Sequence, residues 1–151
     1  MAKFRASRVW IVVGMVSVLV VFGAVAAVAA YSGRSSAAPV VTTLSQIKAR
    51  RFRTATDKKG TGGVVVTVKG LHVNSIRVQH DGDWHVAVSD GKLSAFITEI
   101  IPRDQARIGK PPVGANITET GTPFCDRATQ TQAWHGKTCW EIHPVTSWTK
   151  G

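Results

Sequence analysis

The sequence predicts a mainly β chain, in which a small five-stranded barrel follows one N-terminal transmembrane or signal helix. Two observations predict it: residues 9–31 carry no charged side chain, and apolar and polar residues alternate in short runs from residue 63 onward. A long uncharged run suits a bilayer, and alternation with a period of two is typical of strands with one buried face. We therefore divide the chain into a basic tail (1–8), an apolar segment (9–31), a basic flexible linker (32–62) and an exported domain (63–151).

The apolar segment is long enough to cross a membrane as a helix, because each residue adds about 1.5 Å along the axis and the hydrocarbon core is about 30 Å thick. Lys3, Arg5 and Arg8 precede it. By the positive-inside rule they keep the N-terminus in the cytoplasm and place the C-terminal domain outside the cell membrane. The alternative is an export signal cleaved near Ala27-Val28-Ala29, which would release the domain as a secreted protein.

The linker carries a basic cluster of four residues, Lys48, Arg50, Arg51 and Arg53. Such a cluster can bind anionic lipid, an acidic cell-wall polymer or nucleic acid, or it can be a solvated spacer. From residue 60 to the end, nine Lys/Arg face eight Asp/Glu, although the chain as a whole has a net charge of +10. Because the basic character belongs to the tail and the linker, the composition disfavours nucleic acid as a partner of the folded domain.

The exported domain begins with a long strand. Val64, Val66 and Val68 alternate with Val65, Thr67 and Lys69, and the alternation resumes after Gly70 and continues to Val78. A glycine inside a strand pattern predicts a bulge or a sharp bend.

A hairpin follows. Residues 84–89 and 92–101 read as strands, and the Asp90-Gly91 pair between them is typical of a tight turn. Pro102 ends the second of these strands, residues 103–110 read as a short helical turn, and residues 115–122 read as a fourth strand. With a closing strand from Cys139, the order predicts a Greek-key barrel of the oligonucleotide/oligosaccharide-binding (OB) type.

Cys125 and Cys139 are the only cysteines. In an exported chain such a pair predicts a disulfide, and this one would close a loop of about 15 residues and contribute about 3 kcal/mol on the entropic model. A thiolate metal site is the alternative, but the two cysteines lack the C-x-x-C spacing that zinc sites use.

Two motifs concentrate polar side chains, namely Asp81-Gly82-Asp83-Trp84-His85 and Cys139-Trp140-Glu141-Ile142-His143-Pro144-Val145. Together with Glu99, they resemble a poorly characterised family of mostly exported bacterial and archaeal OB-like proteins with the pattern D-x-D-x-H, E, E-[IL]-H-P-V. The resemblance spans residues 63–148. It implies an OB-like architecture and no established activity. The cysteine pair around Trp134-His135-Gly136 departs from the family pattern.

On a strand, residues two apart share a face, so six polar residues are candidates for one cluster: Asp81, Asp83, His85, Glu99, Glu141 and His143. Carboxylates and imidazoles are suitable ligands for zinc or manganese, and a metal with an open position can activate water. They can equally hydrogen-bond one another across strands as a polar staple, with no metal and no catalysis. The 125–139 loop offers Trp134 and His135 as a binding surface.

Two functions are consistent with these residues. The first is a non-enzymatic, membrane-tethered OB-like module that binds a protein, polymer or small ligand outside the cytoplasm. The second is a metal-dependent, phosphodiester-type hydrolase that uses the Asp/His/Glu cluster. The first is preferred because no nucleophile, base and orienting group can be assigned together. The sequence assigns no cofactor, and a divalent metal is the one candidate.

Overall fold

A computed structural model describes residues 37–93 and 95–151 of the chain. The basic tail and the apolar segment 9–31 lie outside the described residues, so the predicted anchor or signal stays a prediction. Among the residues that are described, no helix combines the length and the hydrophobicity needed to cross a bilayer.

The described chain contains six strands and two short α-helices. In order they are β1 (Val40–Thr42), α1 (Leu44–Lys48), β2 (Val66–Val78), β3 (Trp84–Ser89), β4 (Phe96–Ile100), α2 (Pro102–Ile108), β5 (Asn116–Cys125) and β6 (Trp140–Lys150), with a 3-10 helix at Ala133–His135 before β6.

Five of the strands close into a barrel. The order around it is β2-β3-β4-β6-β5, and β5 returns to pair with β2. All of these pairs are antiparallel except β4 with β6. β1 adds a sixth strand, parallel to the start of β2. The predicted mainly β, five-stranded, OB-like barrel is therefore confirmed, with one extra strand.

The long strand β2 pairs with two other strands because it bends. Its first half pairs with β5 and its second half with β3, and the register with β5 shifts between Val68 and Leu71. Gly70 lies in this shift with a φ of 68°, a left-handed conformation that glycine adopts without a steric penalty. The bulge predicted from Gly70 is confirmed.

The barrel interior is mostly apolar and is lined by alternate residues of each strand. Val86 and Val88 of β3, Phe96 and Ile100 of β4, and Ile142 of β6 are all fully buried in one cluster. Each alternates with a side chain on the opposite, outer face of the barrel wall. On β4 and β6 the outer face is buried as well, because Ile97, Glu99, Glu141 and His143 are buried there.

The predicted boundary between linker and domain is wrong. Residues 38–151 form one compact unit. Leu44 and Ile47 of α1 are 0% and 1% exposed within the core cluster, and a capping box between Thr43 and Gln46 begins the helix. The segment from residue 38 to residue 62 is thus part of the barrel domain, because β1 and α1 bury apolar side chains against it.

Two further boundaries differ from the sequence prediction. β4 begins at Phe96 rather than at Lys92, because the Asp90 carboxylate accepts hydrogen bonds from the amides of Lys92 and Leu93 and makes a wider turn. β5 continues to Cys125, three residues beyond the predicted end.

Helix α2 begins at Pro102, which is compatible with the first helical turn, and the predicted helical turn at 103–110 is confirmed. The Gln105 side-chain amide donates to the carbonyl oxygens of Gly82 and Ile100, at 2.7 and 3.1 Å. The helix therefore ties the 79–83 turn, which carries Asp83, to the end of β4.

Candidate functional site

The polar residues of the two motifs lie on the outer face of the barrel wall. Strand register forms two rows there. Arg77 pairs with His85, and His85 pairs with Glu99. In the second row Ala87 pairs with Ile97, and Ile97 pairs with Glu141. One step beyond Glu141 on this face, His143 reaches Glu99. Sequence positions that are distant in the chain thus meet because four neighbouring strands carry them side by side.

A loop covers this outer face. A Cys125–Cys139 disulfide closes it, as the sequence predicted. Gly136 brings the loop against the chain just before β4, where a Cβ would meet the Ala95 carbonyl oxygen at 2.7 Å. The 3-10 helix places His135 inward, with 0% exposure, and leaves Trp134 38% exposed. The loop therefore covers Glu99, Glu141 and His143 and presents one indole to solvent.

The first group of contacts surrounds Glu99. His143 Nε2 lies 3.0 Å from Glu99 Oε2 and 3.4 Å from Asp83 Oδ2, and its N–H is aligned for a hydrogen bond with Asp83. His85 Nε2 lies 2.6 Å from the other oxygen, Glu99 Oε1. Glu99 and His143 are each 2% exposed, so this group is shielded from bulk water.

The second group surrounds His135. His135 Nδ1 lies 2.6 Å from the Thr138 carbonyl oxygen, and Nε2 lies 3.0 Å from Glu141 Oε2. Both ring nitrogens therefore face oxygen acceptors. A neutral imidazole has one N–H, so the second contact needs a charged ring, a protonated Glu141 carboxyl that donates to Nε2, or a cation bound by both groups.

Burial and pairing shift the pKa values of both groups. Burial opposes ionisation of Glu99, but the imidazoles of His143 and His85 hold its pKa well below the usual range. Burial likewise disfavours the charged forms of His143 and His135, but their carboxylate partners Glu99 and Glu141 raise the pKa of each imidazole. In each of the pairs Glu99–His143 and Glu141–His135, a proton is held between a carboxylate and an imidazole.

Burial raises the pKa of two carboxyl groups beside Glu99, namely those of Asp83 and Glu141. For Asp83 it outweighs the hydrogen bond from His143. For Glu141 it outweighs the bond from His135, and the nearby charge of Glu99 adds to it.

The structure brings five of the six predicted residues into one buried layer: Asp83, His85, Glu99, Glu141 and His143. Asp81 is exposed and accepts a hydrogen bond from the Asp83 amide, which is ordinary turn chemistry. His135, predicted to belong to an exposed binding surface, is buried and joins the layer instead. No local pattern in the sequence signalled this, because a loop has no periodicity and the neighbouring Trp134 is 38% exposed.

The predicted basic cluster follows α1. Lys48 ends that helix, and Arg50, Arg51 and Arg53 are exposed. The Arg50 guanidinium lies 5.2 Å from the ring centroid of Trp140, a cation–π contact with the barrel.

A small pocket opens on the outer face beside the loop. It has a volume of about 130 Å³ and is lined by Ser75, Arg77, His85, Ala87, Ile97 and Trp134. Trp134 stacks on His85, with ring centroids 5.3 Å apart and 30° between the planes. The pocket therefore combines an aromatic face, an exposed guanidinium and an imidazole, in direct continuity with the buried layer.

One carboxyl group lies inside the barrel, where the sequence analysis had assigned nothing. Glu119 on β5 is fully buried, and Thr98 Oγ1 donates to its Oε1 at 3.2 Å. Burial raises the pKa of Glu119 to about 7. The alternation of Ile117 and Glu119 along β5 was a signal that could have placed this side chain inward.

Two trios in the described chain have ligand atoms within 4.8 Å of one another, as a metal site requires. One is Asp83, Glu99 and His143, and the other is Glu99, His135 and Glu141. Both contain Glu99, and all of their members are buried. The layer can hold protons between imidazoles and carboxylates, or it can hold a divalent cation.

Comparisons with known proteins identify no family. No family model matches the chain, and no curated protein matches it. Among solved structures, the chain is similar to an asparaginyl-tRNA synthetase of Entamoeba histolytica, with 18% sequence identity and a TM-score of 0.39. The match covers 66% of this chain and 23% of the synthetase chain. The chain therefore spans about a quarter of that enzyme's length.

Proposed function

We propose that the chain is a membrane-anchored, extracytoplasmic OB-like module that binds its ligand without catalysis, on the outer face of β2, β3 and β4 beside Trp134. Residues 9–31 are the anchor and residues 1–8 remain in the cytoplasm. If the segment is cleaved instead, the same domain is secreted. Partners other than the bilayer are an extracytoplasmic protein, polymer or small ligand.

The pocket beside Trp134 is the observation that carries this proposal. In OB folds, ligands bind on the face of the second and third barrel strands, between the loops that flank them. Here those strands are β3 and β4, and the disulfide-closed loop contributes Trp134 at their edge. An exposed indole provides a flat apolar surface for a ring, and Arg77 provides a donor for an anionic or polar group.

The size of the pocket limits what it receives. Sites for drug-sized molecules usually enclose about 300–1,000 Å³, whereas this pocket has about 130 Å³. It accommodates a single ring or side chain, as when a module reads one unit of a larger polymer. The folded domain carries an excess of basic residues, but this excess lies in residues 48–59, which do not line the pocket. Arg77 is the one Lys or Arg in the lining, which favours a carbohydrate or protein over nucleic acid in this pocket.

A metal-dependent hydrolase is the alternative, and the Asp83/Glu99/His143 trio is what favours it. A hydrolytic metal needs a position open to water and substrate. The trio is buried beneath the loop, at 8%, 2% and 2% exposure. A hydrolase would therefore need the loop to move before substrate could reach these residues.

Replacing His85 and His143 by alanine distinguishes the two proposals. In a binding module we expect the variant to lose stability, as measured by urea unfolding. Neither wild type nor the variant should hydrolyse phosphodiester substrates. Turnover by the wild-type protein that disappears in a normally folded His143→Ala variant would establish the hydrolase instead.

The binding proposal is tested with full-length protein in detergent and immobilised oligosaccharides, acidic cell-wall polymer and single-stranded DNA. We expect retention on one of the first two probes, weakened at least about tenfold by Trp134→Ala, since a central aromatic residue commonly carries more than about 1 kcal/mol of binding. Val113→Ala is a matched control, because Val113 is 61% exposed and does not line the pocket. Equal retention by wild type and Trp134→Ala on every probe would contradict the proposal.

The anchor is tested by mass spectrometry of the mature N-terminus. An intact N-terminal segment in membrane-extracted protein is the expected result. A mature chain that starts at Ala30 would show cleavage and a secreted domain.

A further inference from the structure

We propose that Glu99, His135 and Glu141 form a divalent-cation site, with zinc as the preferred ion, that fixes the 125–139 loop to the barrel. The inference is independent of the ligand pocket, because it rests on a different set of atoms beneath the loop.

The orientation of His135 is the first argument. Histidines that bind metals usually donate one ring N–H to a carbonyl or carboxylate, which leaves the other nitrogen as the ligand. His135 Nδ1 lies 2.6 Å from the Thr138 carbonyl oxygen. Its Nε2 is directed at Glu141, and this ring is therefore held in the orientation of a metal ligand. His143 Nδ1 and His85 Nδ1 have no hydrogen-bond partner among the described residues, so neither ring is oriented in this way.

Spacing is the second argument. Two ligands of a tetrahedral zinc ion, at bonds of about 2.0–2.1 Å, lie about 3.3 Å apart. His135 Nε2 and Glu141 Oε2 are 3.0 Å apart, and the ligand atoms of the trio all lie within 4.8 Å of one another. An ion can therefore be received with small shifts of side chains.

Unsatisfied oxygens are the third argument. Glu141 Oε1 lacks a hydrogen-bond partner among the described residues, although the side chain is 0% exposed. Glu99 Oε2 has the ion-pair contact with His143 Nε2 at 3.0 Å but no aligned hydrogen bond there. A buried carboxylate oxygen without a partner is costly, and a cation would satisfy it. The nearby Lys58 does not satisfy these oxygens, because its ammonium group pairs with Asp126 at 3.0 Å.

Charge balance is the fourth argument. A divalent ion with two carboxylates and one neutral imidazole forms a neutral site, and the proton that His135 and Glu141 share is released when the ion binds. Asp83 and His143 then remain paired beside it, with 3.4 Å between Oδ2 and Nε2. Zinc accepts both imidazole and carboxylate ligands, whereas manganese favours carboxylates, so zinc is the ion to test first.

The site would connect three elements. Glu99 lies on β4, Glu141 on β6 and His135 on the 3-10 helix of the loop. The ion therefore adds a link between loop and barrel wall that the disulfide alone does not make, and it holds Trp134 next to the pocket.

Untagged full-length protein in detergent, stripped with a chelator and dialysed against zinc and then against metal-free buffer, provides the test. Elemental analysis should find about one zinc per chain. Zinc at about 100 times its dissociation constant should raise the ratio of folded to unfolded protein about 100-fold. Wild-type protein that retains substoichiometric zinc and shows no such stabilisation would overturn the proposal without any variant.

Variants locate the ion. Glu141→Gln, which keeps the shape of the side chain, and His135→Ala should each abolish zinc retention, and His72→Ala should not, because His72 lies at the surface and bonds Asn116. If Asp83→Asn and His143→Ala abolish retention while His135→Ala keeps it, the ion belongs to the other trio and this assignment is wrong.

Discussion

The barrel interior and the layer beneath the 125–139 loop are both buried, but their chemistry is opposite. The interior packs apolar side chains around a single carboxyl group, Glu119. The outer layer holds three imidazoles against three carboxylates. Apolar burial stabilises a fold directly, whereas the attraction within a buried ion pair is largely offset by loss of hydration. The comparison teaches that the interior determines the fold and that the outer layer determines where the loop and Trp134 lie.

Truncation of the interior should have the largest effect. Phe96 is 0% exposed, and Phe96→Ala should lower the free energy of unfolding by about 3–5 kcal/mol, because a cavity replaces a buried ring. Urea unfolding measures this change. Val41→Ala is the matched control, since Val41 is 63% exposed and its truncation should change stability by less than about 0.5 kcal/mol. Similar losses for the two variants would contradict the assignment of the core.

The carboxyl group of Glu119 should give the interior a pH dependence. Its pKa is raised in the folded protein from 4.5 to about 7. At pH values between these two, the folded state therefore keeps a proton that the unfolded state has released. The free energy of unfolding therefore falls as pH rises through this window and levels off above it. Glu119→Gln cannot ionise. The free energy of unfolding of this variant minus that of wild type should therefore be about 3 kcal/mol larger at about pH 8 than at about pH 4.

Urea unfolding of Glu119→Gln and wild type at both pH values checks this expectation. The difference between the two proteins isolates Glu119 from the other titrating groups. A difference that is the same at both pH values would show that Glu119 does not hold a proton in the interior.

Opening the disulfide should affect the outer layer. The double variant Cys125→Ser with Cys139→Ser removes a cross-link between residues 14 apart and should lower stability by about 3 kcal/mol on the entropic model. Urea unfolding without reductant measures the loss, and reduced wild-type protein is the control. Identical stability of oxidised and reduced wild type would mean that the loop closes without the disulfide.

The smallest expected effect concerns the Arg50–Trp140 contact, which is outside both layers. Arg50→Ala should cost about 0.5–1 kcal/mol by removing a guanidinium 5.2 Å from the ring centroid. Arg51→Ala is the neighbouring control with an exposed side chain. A loss well above 1 kcal/mol would assign Arg50 a larger part in holding the segment after α1 against the barrel.

Alternation along the chain made much of the barrel predictable, because each of the five strands turns alternate residues toward the barrel interior. Gly70 marked the bend of β2, and the two cysteines predicted their own bond. β1 and α1 were not predictable from the sequence, because Leu44 and Ile47 are two apolar residues in a basic, polar segment. Their burial depends on contacts with a barrel that local patterns do not describe.

The candidate site was predictable where strand pairing determined it. Glu141 and His143 are two residues apart on one strand, so they were expected on the same face. Pairing between β3 and β4 then brought His85 and Glu99 together. His135 was assigned to the surface because no periodicity governs a loop, and only closure of that loop against β4 and β6 buries it. Glu119 was overlooked because an ionisable residue was not expected on an inward row.

The outer layer positions the loop but is not what holds the barrel together, and a paired replacement tests this role of the layer most directly. In the presence of a chelator, Glu141→Met alone should be destabilising by about 3–5 kcal/mol, because His135 loses its buried partner. The double variant Glu141→Met with His135→Leu should regain the free energy of unfolding to within about 1 kcal/mol of wild type or exceed it, since apolar side chains of similar volume replace the pair. A double variant that remains as unstable as Glu141→Met would contradict the account and show that the polar layer is itself a main source of stability.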